Sequence, residues 1–117
     1  MHNTAMTPST LIDARVFEAL QANAGADFVL TLIDAFAEEA PRLLIALRRA
    51  GTESDGERFE TAAHTLKSNS VTFGATRLAE MARQLERAGL RADGAAIDAL
   101  TAELDATLVA LRALART

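Results

Sequence analysis

The chain has 117 residues, which is enough for one domain with a single modest core and too few for two. Its 26 alanines, two prolines and lack of tyrosine and tryptophan give high helix propensity and predict an all-α fold. A net charge of -4 without a clustered basic stripe argues against nucleic-acid binding, and the absence of cysteine excludes disulfides and thiolate metal sites.

Residues 1–9 are polar and contain Pro8, and they lack the basic and apolar regions of a signal peptide. We therefore expect a flexible tail at residues 1–9 and a single domain at residues 10–117. No run of the roughly 20 apolar residues that a membrane span requires occurs in the sequence. We expect a cytoplasmic protein that does not contact a membrane.

Two helices are predicted in the first half of the domain. Apolar residues recur at helical spacing from Thr10 to about Asn23, and Gly25 then supplies a stop. Asp27 is expected to cap a second, longer helix that ends at Gly51. Pro41 lies inside it, where we expect a kink or a one-turn break. The apolar stripe of this second helix consists of Phe28, Val29, Leu32, Ile33, Phe36, Leu43, Leu44 and Leu47.

Three more helices follow. Ser54 and Glu57 match a capping box that opens a third helix running to about Phe73. Gly74 ends it, and a fourth helix closes near Gly89. After this point, apolar residues three or four positions apart predict a final helix of about five to six turns. Four long helices with short connections predict a monomeric up-down four-helix bundle with an additional short N-terminal helix. The inner residues of the last two helices are Leu78, Met81, Ala82, Leu85, Ile97, Leu100, Leu104, Leu108, Leu111 and Leu114.

His64 is predicted to face away from the core of this bundle. At about 100° per residue it falls about 150° from the centre of the apolar arc of the third helix, which consists of Phe59, Ala62, Ala63, Leu66, Ser70 and Phe73. An exposed imidazole is largely neutral and nucleophilic at cellular pH. Lys67 follows one turn later, so its ammonium can offset the charge of a phosphoryl group on the ring. Ser68 and Val71 are small enough to leave the ring open to another protein.

The spacing alone leaves other interpretations of His64 open. A solvated surface histidine without a function fits the same helical wheel. Glu57, Glu60, Thr61 and His64 share one helix face, and the two carboxylates with the imidazole have the spacing of a metal site. Because the chain has no cysteine and only one other histidine, we expect no metal there.

A longer stretch of the sequence decides between these interpretations of His64. The stretch Ala63-His64-Thr65-Leu66-Lys67-Ser68-Asn69-Ser70-Val71-Thr72-Phe73-Gly74-Ala75-Thr76-Arg77-Leu78, followed by Gln84-Leu85-Glu86, closely resembles the signature of the histidine phosphotransfer (HPt) family. In that signature an alanine-histidine pair precedes leucine-lysine, small residues, glycine-alanine, leucine and a leucine-glutamate pair. The opening helix near Ile12-Asp13, the Gly25-Ala26-Asp27 entry and the final leucine-rich helix also stand where the family has them.

The resemblance implies roles for the matching positions. His64 resembles the phosphoacceptor, acting through its outer ring nitrogen, and Lys67 resembles the lysine that neutralises the phosphoryl charge. Gly74 resembles the glycine that lets the third helix turn tightly into the fourth. Some relatives have a glutamine at the position of Glu86 that supports the histidine ring. Glu86 and Gln84 are therefore helper candidates, although a solvated helix residue is the expectation for Glu86.

The resemblance further implies a phosphorelay carrier without kinase activity or an ATP site. It would take a phosphoryl group from a receiver-domain aspartate and pass it to another receiver, which would bring the Mg²⁺; this chain needs no cofactor of its own. Thr61, Ser68 and Val71 are candidate partner contacts. Ser68 departs from the family, because many members have glycine there, and the hydroxyl can slow or redirect docking.

Two alternatives come from other classes of protein. The phosphoacceptor and dimerisation domain of a histidine kinase also carries a histidine on an exposed helix, but such domains usually follow it with a glutamate and soon a proline. Here Thr65 follows His64, and no proline occurs after Pro41. The second alternative is a helical interaction module that binds a receiver or another signalling partner without exchanging phosphate.

Overall fold

The computed structural model describes residues 11–116, and this part of the chain contains helices and no strand. Helix α1 spans Ala14–Ala24, α2 spans Ala26–Thr52 and α3 spans Gly56–Thr72. Helix α4 spans Thr76–Ala88, a 3₁₀ turn spans Gly89–Arg91, and α5 spans Gly94–Ala115. The predicted all-α fold is confirmed. The predicted tail, residues 1–9, lies outside the described residues.

Helices α2 to α5 form the predicted up-down bundle. Each packs against the next along the chain, and α5 also packs against α2, which closes the ring. Two ion pairs show that α2 and α5 run in opposite directions: Arg48 Nη2 lies 2.6 Å from Asp98 Oδ1, and Arg112 Nη1 lies 2.9 Å from Asp34 Oδ1. The short helix α1 packs against α2 outside this ring.

The core contains the apolar stripes that the sequence predicts, with few exceptions. All six residues of the predicted inner arc of α3 are buried. The ring of Phe73 at the end of that arc lies 5.2 Å, centroid to centroid, from the ring of Phe36 on α2. Ser70 is the polar member of the arc, and its hydroxyl donates a hydrogen bond to the Leu66 carbonyl at 2.7 Å, which satisfies it without water. Phe28 is exposed, so its assignment to the core is wrong.

The first two helices begin differently from the prediction. Helix α1 starts at Ala14, where Asp13 Oδ1 accepts a hydrogen bond from the Arg15 amide at 3.0 Å; Thr10, the predicted start, lies outside the described residues. Asp27 does not cap α2 but lies in its first turn, after Gly25. It still favours the helix there, because a carboxylate near the N-terminus complements the helix dipole.

Pro41 does not break α2, so of the two predicted alternatives, a kink or a one-turn break, the break is wrong. The helix is 27 residues long and continues through this position to Thr52. An interior proline removes one backbone hydrogen bond and costs about 3 kcal/mol. On either side of it, Ala40 and Leu44 are buried, and the packing of the whole helix outweighs this local cost.

The third helix begins with a different cap from the predicted one. Asp55, and not Ser54, is the N-cap, and its Oδ1 accepts a hydrogen bond from the Arg58 amide at 3.1 Å. Ser54 has a φ of 55° and forms part of the turn between α2 and α3. The turn needs this residue in the left-handed region, whereas an N-cap needs extended backbone, so the cap moves one position along. The final helix is capped by Asp93, whose Oδ1 accepts from the Ala96 amide at 2.9 Å.

A buried carboxylate on α5 was not anticipated from the sequence. Glu103 is only 5% exposed, and its Oε1 lies 3.2 Å from Nε of Arg77 on α4. Its Oε2 finds no hydrogen-bond partner within the described residues. Arg77, which looks like an ordinary surface arginine in the sequence, thus neutralises a charge that faces the core.

Gly74 fixes the turn between α3 and α4 and joins it to the start of α1. Its φ of 75° lies in the left-handed region, and its carbonyl accepts a hydrogen bond from the Asp13 amide at 2.8 Å. A Cβ at this position would lie 2.8 Å from Val16 Cβ and 2.9 Å from the Asp13 carbonyl oxygen. Both the backbone conformation and the close approach of α1 therefore require glycine.

Replacing Gly74 with alanine should destabilise the fold by about 2–4 kcal/mol, because the left-handed conformation and the contact with α1 are both penalised. Urea denaturation followed by circular dichroism measures the loss. Gly51→Ala is the matched control, since it lies in α2 with open space around it and should be neutral or slightly stabilising. Equal effects of the two substitutions would contradict this account of Gly74.

Candidate functional site

His64 lies near the middle of α3 with 57% of its side chain exposed. The neighbouring Ala63 and Leu66 are fully buried. They fix the rotation of the helix, so the imidazole points to solvent. The predicted orientation of His64 is therefore confirmed, and the ring is accessible to another protein.

A carboxylate from the next helix holds both His64 and Lys67. Glu86 on α4 places Oε2 at 3.0 Å from His64 Nδ1 and Oε1 at 3.0 Å from Lys67 Nζ. The exposed fractions of the Glu86 and Lys67 side chains are 25% and 27%. The expectation that Glu86 is an ordinary solvated residue is wrong. The antiparallel packing of α3 and α4 brings the three groups together, although 22 residues separate His64 from Glu86.

The electrostatics of the cluster keep Glu86 ionised. The hydrogen bond from Lys67 lowers the pKa of the Glu86 carboxyl most strongly, partial burial opposes this effect, and the contact with His64 lowers the pKa further. An ionised carboxylate can only accept hydrogen bonds, so His64 Nδ1 must be the nitrogen that donates. In the neutral ring this leaves the lone pair on Nε2, which is the outer nitrogen.

The remaining predicted site residues fall into two groups. Thr61, Ser68 and Val71 are exposed on α3 on either side of His64 along the helix. Gln84 does not join the cluster; its Nε2 donates a hydrogen bond to Glu80 Oε2 at 3.3 Å. Glu80 is also bound by Arg83, whose hydrogen bond lowers the pKa of the Glu80 carboxyl.

A shallow groove of about 300 Å³ opens beside Lys67 and is mainly apolar. Helix α1 contributes Val16, which is exposed. Helix α4 contributes Ala79, and neither residue was anticipated as part of the site. Because three helices form the groove, the hydrophobic pattern of any single helix does not predict it. The groove is lined by Val16, Lys67, Val71, Gly74, Thr76, Ala79, Glu80 and Arg83.

Residues 11–116 contain neither a metal-binding cluster of acidic and histidine side chains nor a membrane-spanning helix. Among residues 11–116, no three His, Asp or Glu side chains are grouped so that they could hold a metal ion, and Glu57 and Glu60 do not form such a group with His64. No helix in this range is long and apolar enough to cross a membrane.

The fold and the site define a class of protein: a helical bundle that presents one histidine, backed by a carboxylate and a lysine, on its outer surface. The sequence model of the Hpt domain matches residues 31–113, well over half of the chain, and the chain therefore belongs to the Hpt domain family. No curated protein and no solved structure matches it significantly. Hpt domains are phosphotransfer carriers of two-component signalling and interact with receiver domains of response regulators and kinases.

The ionised Glu86 should contribute stability that depends on pH. Because its folded-state pKa is lowered, this contribution is complete above the unfolded-state pKa and is lost as pH falls through the folded-state value. At pH 7 we expect Glu86→Gln to reduce the free energy of unfolding by about 0.5–1 kcal/mol. Urea denaturation at pH 7 and pH 3 should show this gap closing at the lower pH. A gap of the same size at both pH values would exclude an ionic origin.

Proposed function

We propose that this chain is a phosphorelay carrier in which His64 accepts a phosphoryl group from a receiver-domain aspartate and passes it to another receiver domain. The observation that supports this most directly is the contact of Glu86 with both the Nδ1 of His64 and the ammonium of Lys67. A surface histidine without a function would not need an acceptor for its Nδ1 proton or a cation beside the ring.

The chemistry follows from the state of the ring. The Nε2 lone pair attacks phosphorus, an N–P bond forms, and the P–O bond to the aspartate breaks with its electron pair remaining on the carboxylate. The ring keeps its Nδ1 proton against Glu86, so its positive charge faces a carboxylate. Lys67 offsets charge on the phosphoryl oxygens. Phosphoryl transfer depends mainly on positioning and charge stabilisation, and the receiver supplies Mg²⁺ and its acidic pocket.

The partner surface in this proposal surrounds His64. Thr61, Ser68 and Val71 lie on the same helix as the ring, and the apolar groove next to Lys67 extends this surface across α4. An exposed apolar patch beside a reactive side chain is typical of a protein-binding surface. We propose that a receiver docks here on a monomeric carrier in the cytoplasm. The carrier needs no kinase or ATP site, because the phosphoryl group arrives on the receiver.

The first test is transfer from a radiolabelled phospho-receiver. The wild type should acquire an acid-labile, alkali-stable label, and His64→Gln should acquire none, because glutamine has no nucleophilic ring nitrogen. His2→Gln removes the only other histidine and should keep the label. No label from several receivers, with the fold intact by circular dichroism, would instead favour an interaction module that does not exchange phosphate, and Ser68→Gly would be the next variant to assay.

A second test addresses the docking surface. Val71→Asp should slow transfer about tenfold or more, because a charge would have to be desolvated in the interface. Val71 is 59% exposed, so the fold should tolerate the change. Val109→Asp on α5 is the matched control, since Val109 is 70% exposed, and it should transfer at the wild-type rate. Similar rates for both variants in a stopped-flow or rapid-quench assay would place docking elsewhere.

A further inference from the structure

Lys67, the cation expected to contact the phosphoryl group, already forms an ion pair in the structure. Lys67 Nζ lies 3.0 Å from Glu86 Oε1, and three quarters of both side chains is shielded from solvent. Lys67 lines the apolar groove described above, and the other cation in its lining, Arg83, likewise forms an ion pair with Glu80. Among the described residues, therefore, both basic side chains that line the groove are paired with a glutamate.

A second contact holds Glu86 beside the ring of His64. Its second oxygen accepts the hydrogen bond from His64 Nδ1 at 3.0 Å, and phosphorylation at Nε2 leaves that contact in place. A phosphoryl group carries about two negative charges. Apart from the positive charge of the ring, which faces Glu86, the site then holds two anions and one ammonium, and the two anions compete for that ammonium.

We propose that Glu86 is a positioning residue that competes with the phosphoryl group for Lys67, so that Lys67 exchanges one partner for the other in each phosphorylation cycle. Because the ion pair to Glu86 is given up whenever His64 is phosphorylated, the exchange weakens the hold of His64 on the phosphoryl group. This competition for Lys67 favours donation of the phosphoryl group, whereas the contact of Glu86 with Nδ1 favours its retention. This inference rests on the proposed function of His64 as a phosphoacceptor.

The exchange can be measured by a double-mutant cycle on the equilibrium of phosphoryl transfer. Lys67→Met removes the ammonium and keeps the length of the side chain, and Glu86→Gln removes the charge while its amide oxygen can still accept from Nδ1. The quantity to compare is the equilibrium fraction of labelled chain for the wild type, the two single variants and the double variant, each mixed with the same phospho-receiver.

If Lys67 changes partner, the effect of Lys67→Met on the equilibrium constant for phosphorylation of His64 should depend on whether residue 86 is charged. Lys67→Met should lower that constant about two- to fivefold more in the Glu86→Gln background than in the wild type, the range expected for one partly shielded ion pair. If the effect of Lys67→Met is the same in both backgrounds, Lys67 contacts both anions at once and the proposal is wrong. Glu38→Gln, the same change at an exposed glutamate of α2 that lies outside the groove, should leave the constant unchanged.

A second phosphoryl donor separates this inference from the proposed function. Phosphoramidate phosphorylates exposed histidines without a receiver, and the same four proteins can be compared at a fixed ratio of phosphoramidate to ammonium. A chain that takes label from phosphoramidate but from no receiver would contradict the relay function, while the cycle would still report on Lys67. A cycle without coupling in a chain that accepts label from receivers would overturn only the exchange of partners.

Discussion

The turn at Gly74 sets the register on which the site depends. Its left-handed backbone reverses the chain within a few residues, and its contact with α1 leaves no room for a side chain. Helices α3 and α4 lie side by side and antiparallel from this turn, so a residue on one meets a residue at a similar distance from the turn on the other. His64 and Lys67 meet Glu86 in this way.

The site is built on helices that the core holds rigid. Ala63 and Leu66 are fully buried on the inner side of α3, and Leu85 is buried beside Glu86 on α4. Side chains attached to such helices keep their positions before another protein binds, which is the arrangement that a preorganised site requires. The exposed ring therefore does not depend on a loop for its orientation, and a docking protein meets a surface that is already in place.

The sequence was sufficient for most features that depend on one helix, although the predictions for Phe28 and Pro41 in α2 were wrong. Helical periodicity predicts the exposure of His64 and the buried arc from Phe59 to Phe73, because both follow from the geometry of a single helix. Glu86 could not be assigned in this way, since its contacts depend on the register between two helices. The groove beside Lys67 is formed by three helices, so the periodicity of any one helix does not reveal it. At the helix ends, Ser54 and Asp27 have the right residue types for caps, but the backbone of the adjacent turns decides which residue caps the helix.

The ion pair between Arg77 and Glu103 has a consequence for how this chain can vary. A buried carboxylate that loses its partner is strongly destabilising, whereas replacing both charges by apolar residues can be neutral. Arg77 and Glu103 are therefore coupled, and the effect of changing either depends on the other. A lineage can lose this ion pair by changing both residues together, or by changing one of them first and passing through a less stable protein. The apolar positions around them can be exchanged one at a time, so among related sequences these two residues should be kept or lost together.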